Sequence, residues 1–270
     1  MTIIAADSLP QDSSEILFEI RGGIGFVTLN RPQARNALTF EMYDRIAEIC
    51  TNAKDDPDLR ALVISGAGGK AFAAGTDISK FRTFTEPEHG LNYERRMDAV
   101  FGAIEGCAVP TVAAISGACT GGGAAIAACC DIRIASQDLK FGFPIARTLG
   151  NCLSAANLSR LVALIGAGRT KDILFTARLV GAEEALAAGL LSEVLPDFDS
   201  VLARAQSLAG DMANLAPLTL QATKEALRRL REHGAQVEDD DLITLCYMSE
   251  DFREGLEAFL AKRKPVWKGR

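Results

Sequence analysis

Two glycine-rich segments carry the residues whose types and spacing most directly suggest chemistry. The first spans residues 62–81 and reads LVISGAGGKAFAAGTDISKF, and the second spans residues 110–132 and reads PTVAAISGACTGGGAAIAACCDI. Each segment opens with a strand-like apolar run. Together they could present two backbone N–H groups to one oxygen atom, which is how an enzyme stabilises an enolate or an oxyanion.

The glycine triplet Gly121-Gly122-Gly123 is the more informative part of these segments, because it precedes the run AAIAACC. Three glycines followed by alanines permit a tight turn into a helix and a very close backbone approach. The start of such a helix carries unpaired N–H groups and a partial positive charge, which favour an anionic ligand atom. The alternative interpretation is a helix of small residues packed tightly in the core.

The first segment resembles two nucleotide-binding motifs only superficially. Gly66, Gly68 and Ala71 follow a strand as in a dinucleotide fingerprint, but the following region, SKFRTFTEPEHG, is polar and is not a strand ending in an acid. Gly69-Lys70 is followed by Ala71, where a phosphate loop needs Ser or Thr. A nicotinamide oxidoreductase is therefore a distant alternative.

Composition narrows the class of protein further. The net charge of −6 and the absence of a long basic run in the body argue against a nucleic-acid partner. The start, MTIIAADSLPQDSS, does not read as a signal peptide, and no run of ~20 apolar residues predicts a membrane span. Seven cysteines without metal-ligand spacing and two histidines predict reduced, buried thiols, no metal site and a cytoplasmic protein. The basic end of the chain, KRKPVWKGR, is either a solvated tail or a phosphate contact.

The elements that must position the glycine segments follow from periodicity and turn signals. Apolar runs predict strands at 16–20, 24–29, 61–65, 111–115 and 132–135, the first two joined by Gly22-Gly23. Helical spacing predicts a helix capped by Thr39 and ending near residue 53, and others at 93–104 and 122–129. The later helical pieces are 182–188, 201–213, 217–231 and 251–261. The predicted organisation is a loose lead-in at 1–14, an α/β core at 15–192 and a helical region at 193–270, whose helices cap the core or pack on a neighbouring subunit.

The order of these blocks resembles the enoyl-CoA hydratase/isomerase (crotonase) superfamily over nearly the full length of the chain. The matching blocks are FVTLNRPQARNALTFEM, GKAFAAGTDISKF, AISGACTGGGAAIAACCDIRIAS, LKFGFP, EEALAAGLLSEVLP and EDFREGLEAFLAKRKPVWKGR. The resemblance implies an α/β fold built as a spiral of ββα turns with a C-terminal helical region. It also implies a trimer or a dimer of trimers, and a coenzyme A thioester as substrate with no permanently bound cofactor.

The resemblance implies particular site residues. The oxyanion-hole N–H groups would be those of Thr76 and Gly122. Ala74 would meet the adenine through its carbonyl, and Phe259 and Lys262 would approach the coenzyme A of the same or a neighbouring subunit. The remaining implied contacts to substrate or coenzyme A are Gln33, Arg35, Ala37, Gly75, Asp77, Ile78, Thr120, Ala125, Pro144, Ile145 and Arg147. Asp77 is also expected to cap the following helix, with a catalytic acid as its alternative role.

The chain departs from the family at the positions that matter for proton transfer. The two glutamates of family hydratases match Ala125 and Ile145, and residues 106–130 and 139–171 contain no Asp or Glu. A general acid or base contributes ~10²–10⁴-fold to a rate, and neither aliphatic side chain can supply it. Hydration of a 2-enoyl-CoA is the family default. The residues favour a reaction with at most one proton carrier, such as isomerisation or decarboxylation, or else a non-catalytic acyl-CoA-binding subunit.

Other side chains could replace the missing acids. Arg147 could bind an acidic acyl group or pair with a surface carboxylate, and Cys152 is a weak candidate nucleophile. Asn151 and Ser154 stand in the same stretch. Five carboxyl residues lie between the two glycine-rich loops. One of them could act as a lone base, while the others are solvated. The five are Glu86, Glu88, Glu94, Asp98 and Glu105.

Overall fold

The computed structural model describes residues 15–234 and 238–270, so the predicted lead-in at 1–14 lies outside the described residues. The strands are β1 (Ile16–Arg21), β2 (Ile24–Leu29), β3 (Ala61–Gly66), β4 (Ala71–Ala73), β5 (Thr111–Ile115), β6 (Ala118–Thr120), β7 (Ile132–Ser136), β8 (Lys140–Gly142) and β9 (Glu193–Leu195). The helices are α1 (Phe40–Asn52), α2 (Pro87–Glu105), α3 (Gly122–Cys129), α4 (Ile145–Thr148), α5 (Ala155–Thr176), α6 (Ala182–Ala187), α7 (Phe198–Ala213), α8 (Pro217–His233), α9 (Asp240–Tyr247) and α10 (Glu250–Leu260).

The strands form two sheets that the chain visits in alternation. The larger sheet has the order β1-β2-β3-β5-β7-β9, antiparallel only between β1 and β2, and the smaller sheet has the order β4-β6-β8, all parallel. The chain therefore passes through β3, β4 and α2, then β5, β6 and α3, then β7, β8 and the helices that follow. This repeat confirms the predicted spiral of ββα turns.

The large sheet is buried on both faces, which explains its continuous apolar strands. Alternate residues of β3 point to opposite sides. Leu62 and Ile64 join the main core with α1, α2 and α3, while Val63 joins a second cluster against α7. Helix α7 contributes Val201, Ala205 and Ala209 to that second cluster, and the four-residue spacing places them on one helix face. β9 and α7 come after residue 192, yet both belong to the body of the core.

Local signals in the sequence explain several element boundaries. Thr39 caps α1 as predicted, accepting a hydrogen bond from the backbone N–H of Met42 at 3.2 Å. Helix α2 is longer than its predicted range because Pro87 occupies its first turn and Glu86 precedes it as the cap. Ser154 caps α5 by accepting from the N–H of Asn157 at 3.2 Å.

The C-terminal helices leave much of their apolar surface exposed. Phe259 is 82% exposed, and Leu256 and Phe252 are 50% and 45% exposed, so these side chains do not cap the core of their own chain. The chain end returns to α10, where buried Asp251 accepts the backbone N–H groups of Lys268 and Gly269. No helix within the described residues is long and apolar enough to cross a membrane. All seven cysteines are free thiols; five are buried, whereas Cys152 is exposed and Cys246 is half-buried.

Candidate functional site

Parallel pairing of two short strands brings the two glycine segments together. β4 pairs with β6, with Ala71 opposite Ala118 and Ala73 opposite Cys119. The carboxyl ends of parallel strands meet at the same edge of a sheet. The loop after β4, which holds Thr76, therefore lies beside the turn after β6, which opens α3 at Gly122.

The two segments approach each other so closely that there is no space for a side chain at Gly122 and Gly123. A Cβ atom built on Gly122 would lie 1.8 Å from the hydroxyl oxygen of Tyr43 and 3.0 Å from Oγ1 of Thr76. A Cβ atom built on Gly123 would lie 2.4 Å from the carbonyl oxygen of Ala73. Gly123 therefore allows tight backbone packing, and Gly122 opens the helix beside Thr76.

Neighbouring hydrogen bonds set the direction of the two N–H groups. Leu38 donates its N–H to the carbonyl of Gly75 at 2.8 Å, and Asp77 donates to the carbonyl of Leu38 at 2.8 Å. In such a parallel bridge the N–H of the residue between them, Thr76, points away from Leu38. Gly121 donates to the carbonyl of Gly142 at 3.0 Å, and as the first residue of α3 Gly122 has no acceptor within its own helix.

Buried Asn36 holds the loop that supports this arrangement. The Asn36 side chain is 0% exposed and donates from Nδ2 to the carbonyls of Ala67 and Ala71 at 3.0 and 2.8 Å. Its Oδ1 accepts the N–H of Arg31 at 2.9 Å, and Ala74 donates its N–H to the carbonyl of Arg35 at 3.0 Å. These hydrogen bonds fasten the loop before α1 to the segment that carries Thr76, both before β4 and after it.

Thr76 and Gly122 both line a cavity of about 320 Å³. Its walls come from the loop after β4, from α2, from the start of α3 and from the segment between β8 and α5. Most of its wall is apolar. The predicted site residues that line it are Ala74, Gly75, Thr76, Ile78, Thr120, Gly122, Ala125, Pro144 and Ile145.

The other predicted site residues are not brought to this cavity within the described chain. They are Gln33, Arg35, Ala37, Asp77, Arg147, Phe259 and Lys262. Arg147 is exposed on α4, and Phe259 lines a separate groove between the C-terminal helices and the chain end. Cys152 does line the cavity, together with Asn151.

Asp77 is a helix cap, as predicted. Its Oδ1 accepts the N–H of Ser79 at 3.2 Å, and its Oδ2 lies 3.4 Å from the guanidinium of Arg31. The hydrogen bonds from Ser79, with a smaller effect of Arg31, lower the pKa of Asp77. A carboxylate held in its ionised form by these donors is poorly suited to donate a proton.

Glu94 is the only carboxyl side chain among the described residues that line the cavity. It is half-buried on α2, and within the part of the chain that the structure describes it forms neither a hydrogen bond nor an ion pair. Partial burial, together with the negative charge of Asp98 one turn later, raises its pKa. Asp98 in turn accepts a hydrogen bond from the hydroxyl of Ser154 at 2.6 Å. Glu94 thus combines a place on the cavity wall with a raised pKa.

Helical phase is the signal that could have selected Glu94 from the five carboxyl candidates. Glu94 stands three residues before Met97 and seven before Phe101, and both of these are buried residues that line the cavity. Residues at this spacing share one helix face. Glu86 and Glu88 are exposed, and Glu105 pairs with arginines at the far end of the helix.

The sequence did not identify two tyrosines that meet in the site. The hydroxyl of Tyr43 lies 2.8 Å from Oγ1 of Thr76, and the hydroxyl of Tyr93 lies 3.5 Å from the same atom. Both tyrosines line the cavity, and burial raises the pKa of each phenol, so both stay protonated at neutral pH. The chain has three tyrosines, and the convergence of two of them on Thr76 required the fold.

Comparisons with known proteins agree on one family. The sequence model described as Enoyl-CoA hydratase/isomerase matches residues 19–270. The chain is 32% identical to the short-chain-enoyl-CoA hydratase of Clostridium acetobutylicum, covering 93% of this chain and 96% of that relative. It is 36% identical to the (E)-benzylidenesuccinyl-CoA hydratase of Thauera aromatica, covering 94% and 99%. A solved enoyl-CoA hydratase/isomerase family protein from Hyphomonas neptunium superposes with a TM-score of 0.88 at 35% identity, covering 96% and 99% of the two chains.

Proposed function

Because the chain belongs to the enoyl-CoA hydratase/isomerase family, we propose that it binds an acyl-CoA and stabilises an enolate of its thioester. The negative charge that develops on the thioester oxygen is shared between the N–H groups of Thr76 and Gly122. Support comes from the places of Thr76 and Gly122, which line one cavity from two successive turns of the spiral, and from the N–H of Thr76 pointing away from Leu38. Loss of one such donor typically costs ~10²–10³-fold in rate.

Glu94 is the proposed proton carrier, and its position as the only carboxyl on the cavity wall among the described residues carries this proposal. The carboxylate removes a proton from the α-carbon of a 3-enoyl-CoA. The C–H electron pair passes into a dienolate whose charge rests on the thioester oxygen. The resulting carboxylic acid returns the same proton to the γ-carbon, which gives the 2-enoyl-CoA. One group with a pKa raised toward neutrality serves both steps.

Double-bond isomerisation is therefore the reaction that the side chains support best. Ala125 and Ile145 also line the cavity and cannot move protons, so a second carboxyl for activating water is missing from the two family positions. Decarboxylation of a malonyl-type thioester would use the same pair of N–H groups and needs no base for the bond-breaking step.

Hydration is the second candidate, and the names of the relatives favour it, since both compared above are called hydratases. In that case Glu94 would have to activate water and also protonate the α-carbon. A non-catalytic acyl-CoA-binding subunit is the remaining alternative. It would keep the cavity and the two N–H groups while turning over no thioester.

One experiment separates these functions. Purified protein is incubated with 3-hexenoyl-CoA and with crotonyl-CoA. The products are separated by liquid chromatography against standards of each isomer and then weighed by mass spectrometry, since hydration adds the mass of water whereas isomerisation changes only the retention time. We expect isomerisation of 3-hexenoyl-CoA, with loss of most activity in Glu94→Gln and little change in Glu88→Gln, an exposed position on the same helix. Hydration that survives Glu94→Gln contradicts the proton-transfer proposal, and binding without conversion of any thioester favours the non-catalytic subunit.

We also propose that the chain assembles with copies of itself through the C-terminal helices, as a trimer or a dimer of trimers. Support comes from the exposed apolar side chains of Tyr247, Met248, Phe259 and Leu260, which are 56% to 82% exposed. Phe259 and Lys262 would then reach the coenzyme A of a neighbouring subunit. Light scattering after size-exclusion chromatography tests this assembly, and a monomer at micromolar concentration would contradict it.

A further inference from the structure

Aromatic rings are concentrated around the proposed acyl cavity. Aromatic residues make up 6% of the chain, yet five of the residues that line this cavity are aromatic. Phe81 and Tyr93 are half-buried on the side of the loop and α2, while Phe101 and Phe143 are among the buried residues. A general apolar pocket needs no such enrichment, because Leu, Ile and Val dominate the rest of the core.

The rings are already arranged in edge-to-face contacts that fix their orientation. Phe81 and Tyr93 stand at 4.9 Å between ring centroids with an interplanar angle of 76°. Phe84 packs behind both, at 5.0 Å from Phe81 and 6.0 Å from Tyr93, and does not line the cavity. The contact between Phe81 and Tyr93 themselves therefore forms the aromatic wall of the cavity.

The volume of the cavity suits an acyl group that has a short chain and a bulky substituent such as a ring. A cavity of about 150 Å³ lined by apolar side chains is large enough to hold benzene. The cavity of about 320 Å³ can thus hold a six-membered ring together with the carbons next to the thioester. Its inner surface ends on Met97, Phe101 and Phe143, which are 1% to 3% exposed and belong to the packed core. A long straight alkyl chain has no room to extend past them.

We infer that the acyl group is aryl-bearing, with its ring seated against Phe81 and Tyr93. This inference rests on the proposed function, because it names the substrate class of the same site. Ala125 also lines the cavity, and its small side chain leaves space for the carbons that carry the ring. Aromatic pairs in offset or edge-to-face geometry contribute beyond the area that they bury, so a ring gains more from this wall than an alkyl chain of equal length.

The test compares saturated thioesters, which cannot undergo double-bond isomerisation or hydration during the measurement. Calorimetry gives the dissociation constants of 3-phenylpropanoyl-CoA, hexanoyl-CoA and decanoyl-CoA for the full chain. We expect the phenylpropanoyl thioester to bind about two- to tenfold more tightly than hexanoyl-CoA, the range of an aromatic pair contact. Decanoyl-CoA should bind most weakly of the three.

Two matched variants localise the effect. Phe81→Leu removes a ring from the cavity wall and should abolish the preference for the phenyl group while hexanoyl-CoA binding stays within about twofold. Phe84→Leu removes a ring from the same aromatic cluster behind the wall and should keep the preference. Equal or tighter binding of hexanoyl-CoA or decanoyl-CoA by the unaltered protein overturns the aryl inference and leaves the proposed function intact. Loss of the preference in Phe84→Leu to the same degree as in Phe81→Leu also overturns it. Failure of all three thioesters to bind overturns the proposed function itself.

Discussion

Two positions on α2 place carboxyl groups in opposite environments. In the first half of the helix, Glu94 lines the cavity close to the like charge of Asp98. At its last residue, Glu105 has a side chain that is 18% exposed and pairs with two guanidinium groups, Arg160 at 2.9 Å and Arg231 at 2.6 Å. The same residue type on one helix therefore has two different roles.

The two environments act differently on the same side chain. Partial burial and a nearby like charge raise the pKa of Glu94. The Glu105 carboxylate, placed between two arginines, joins α2 to α5 and α8, which carry those arginines. Helical phase places Glu94 on the cavity face of α2, but the sequence does not show which of the two glutamates is paired with arginines.

The largest expected effect is on catalysis at the cavity end. Glu94→Gln removes the proton carrier while keeping the size of the side chain, so kcat should fall by ~10²–10⁴-fold. Steady-state kinetics with 3-hexenoyl-CoA measures this effect, and Glu88→Gln is the matched control on α2. A decrease in kcat smaller than tenfold would contradict the proposed role of Glu94 as the proton carrier.

At the paired end, the expected effect is on stability and not on chemistry. Arg160→Met leaves Glu105 with one of its two partners in a mostly buried position, and it should cost about 3 kcal/mol of unfolding free energy. Urea unfolding measures this change, with Arg228→Met as a control on the more exposed surface of α8. Folded Arg160→Met protein should retain its kcat, and a selective loss of kcat would show that the two ends are coupled.

The pH dependence of activity tests the influence of Asp98 on Glu94. The ionised Asp98 raises the pKa of Glu94, so Asp98→Asn should lower that pKa, although burial continues to raise it. The base form of Glu94 then appears at lower pH, and the rising limb of kcat/KM against pH should move to lower pH. A profile that does not move would mean that burial alone sets the pKa. A circular dichroism spectrum checks that loss of the Ser154 contact has not disturbed α5.

The smallest expected effect is a pH-dependent change in stability at the cavity end. Because the pKa of Glu94 is raised in the folded state, its ionisation favours the unfolded state. The protein therefore loses stability as the pH rises from the pKa of Glu94 in the unfolded chain through its pKa in the folded chain. Glu94→Gln removes this loss. The variant should gain stability relative to the unaltered protein between acid and neutral pH, as measured by denaturant unfolding at each pH. A relative loss of stability on raising the pH would contradict the sign of the shift.

Local rules were sufficient to predict most of the fold. The capping position of Thr39, the Gly22-Gly23 turn and the apolar strands 61–65 and 111–115 depend on near neighbours in sequence, and the structure confirms them. The meeting of the two glycine segments followed from the family resemblance, and its physical basis is the pairing of β4 with β6. Neither strand is longer than 3 residues, which is too short for periodicity to reveal.

The pairing of the α2 glutamates and the aromatic wall could not be predicted from sequence for a different reason. Glu105 is paired by arginines that α5 and α8 bring to it, and those contacts join residues far apart in the chain. Tyr43 and Tyr93 lie on separate helices and meet only because both reach Thr76. Likewise, the exposed position of Arg147 depends on the short helix α4, whose orientation no local pattern determines.

Thr76 and Gly122 belong to successive turns of the spiral, one after β4 and one after β6. In the proposed complex, one oxygen atom bound to the N–H groups of both residues would link these two turns. Saturation with a tight thioester should consequently strengthen the whole protein against heat, by about 2.7 kcal/mol at a hundredfold excess over the dissociation constant. Cleaving the chain between these two turns should abolish thioester binding if the two fragments do not reassociate.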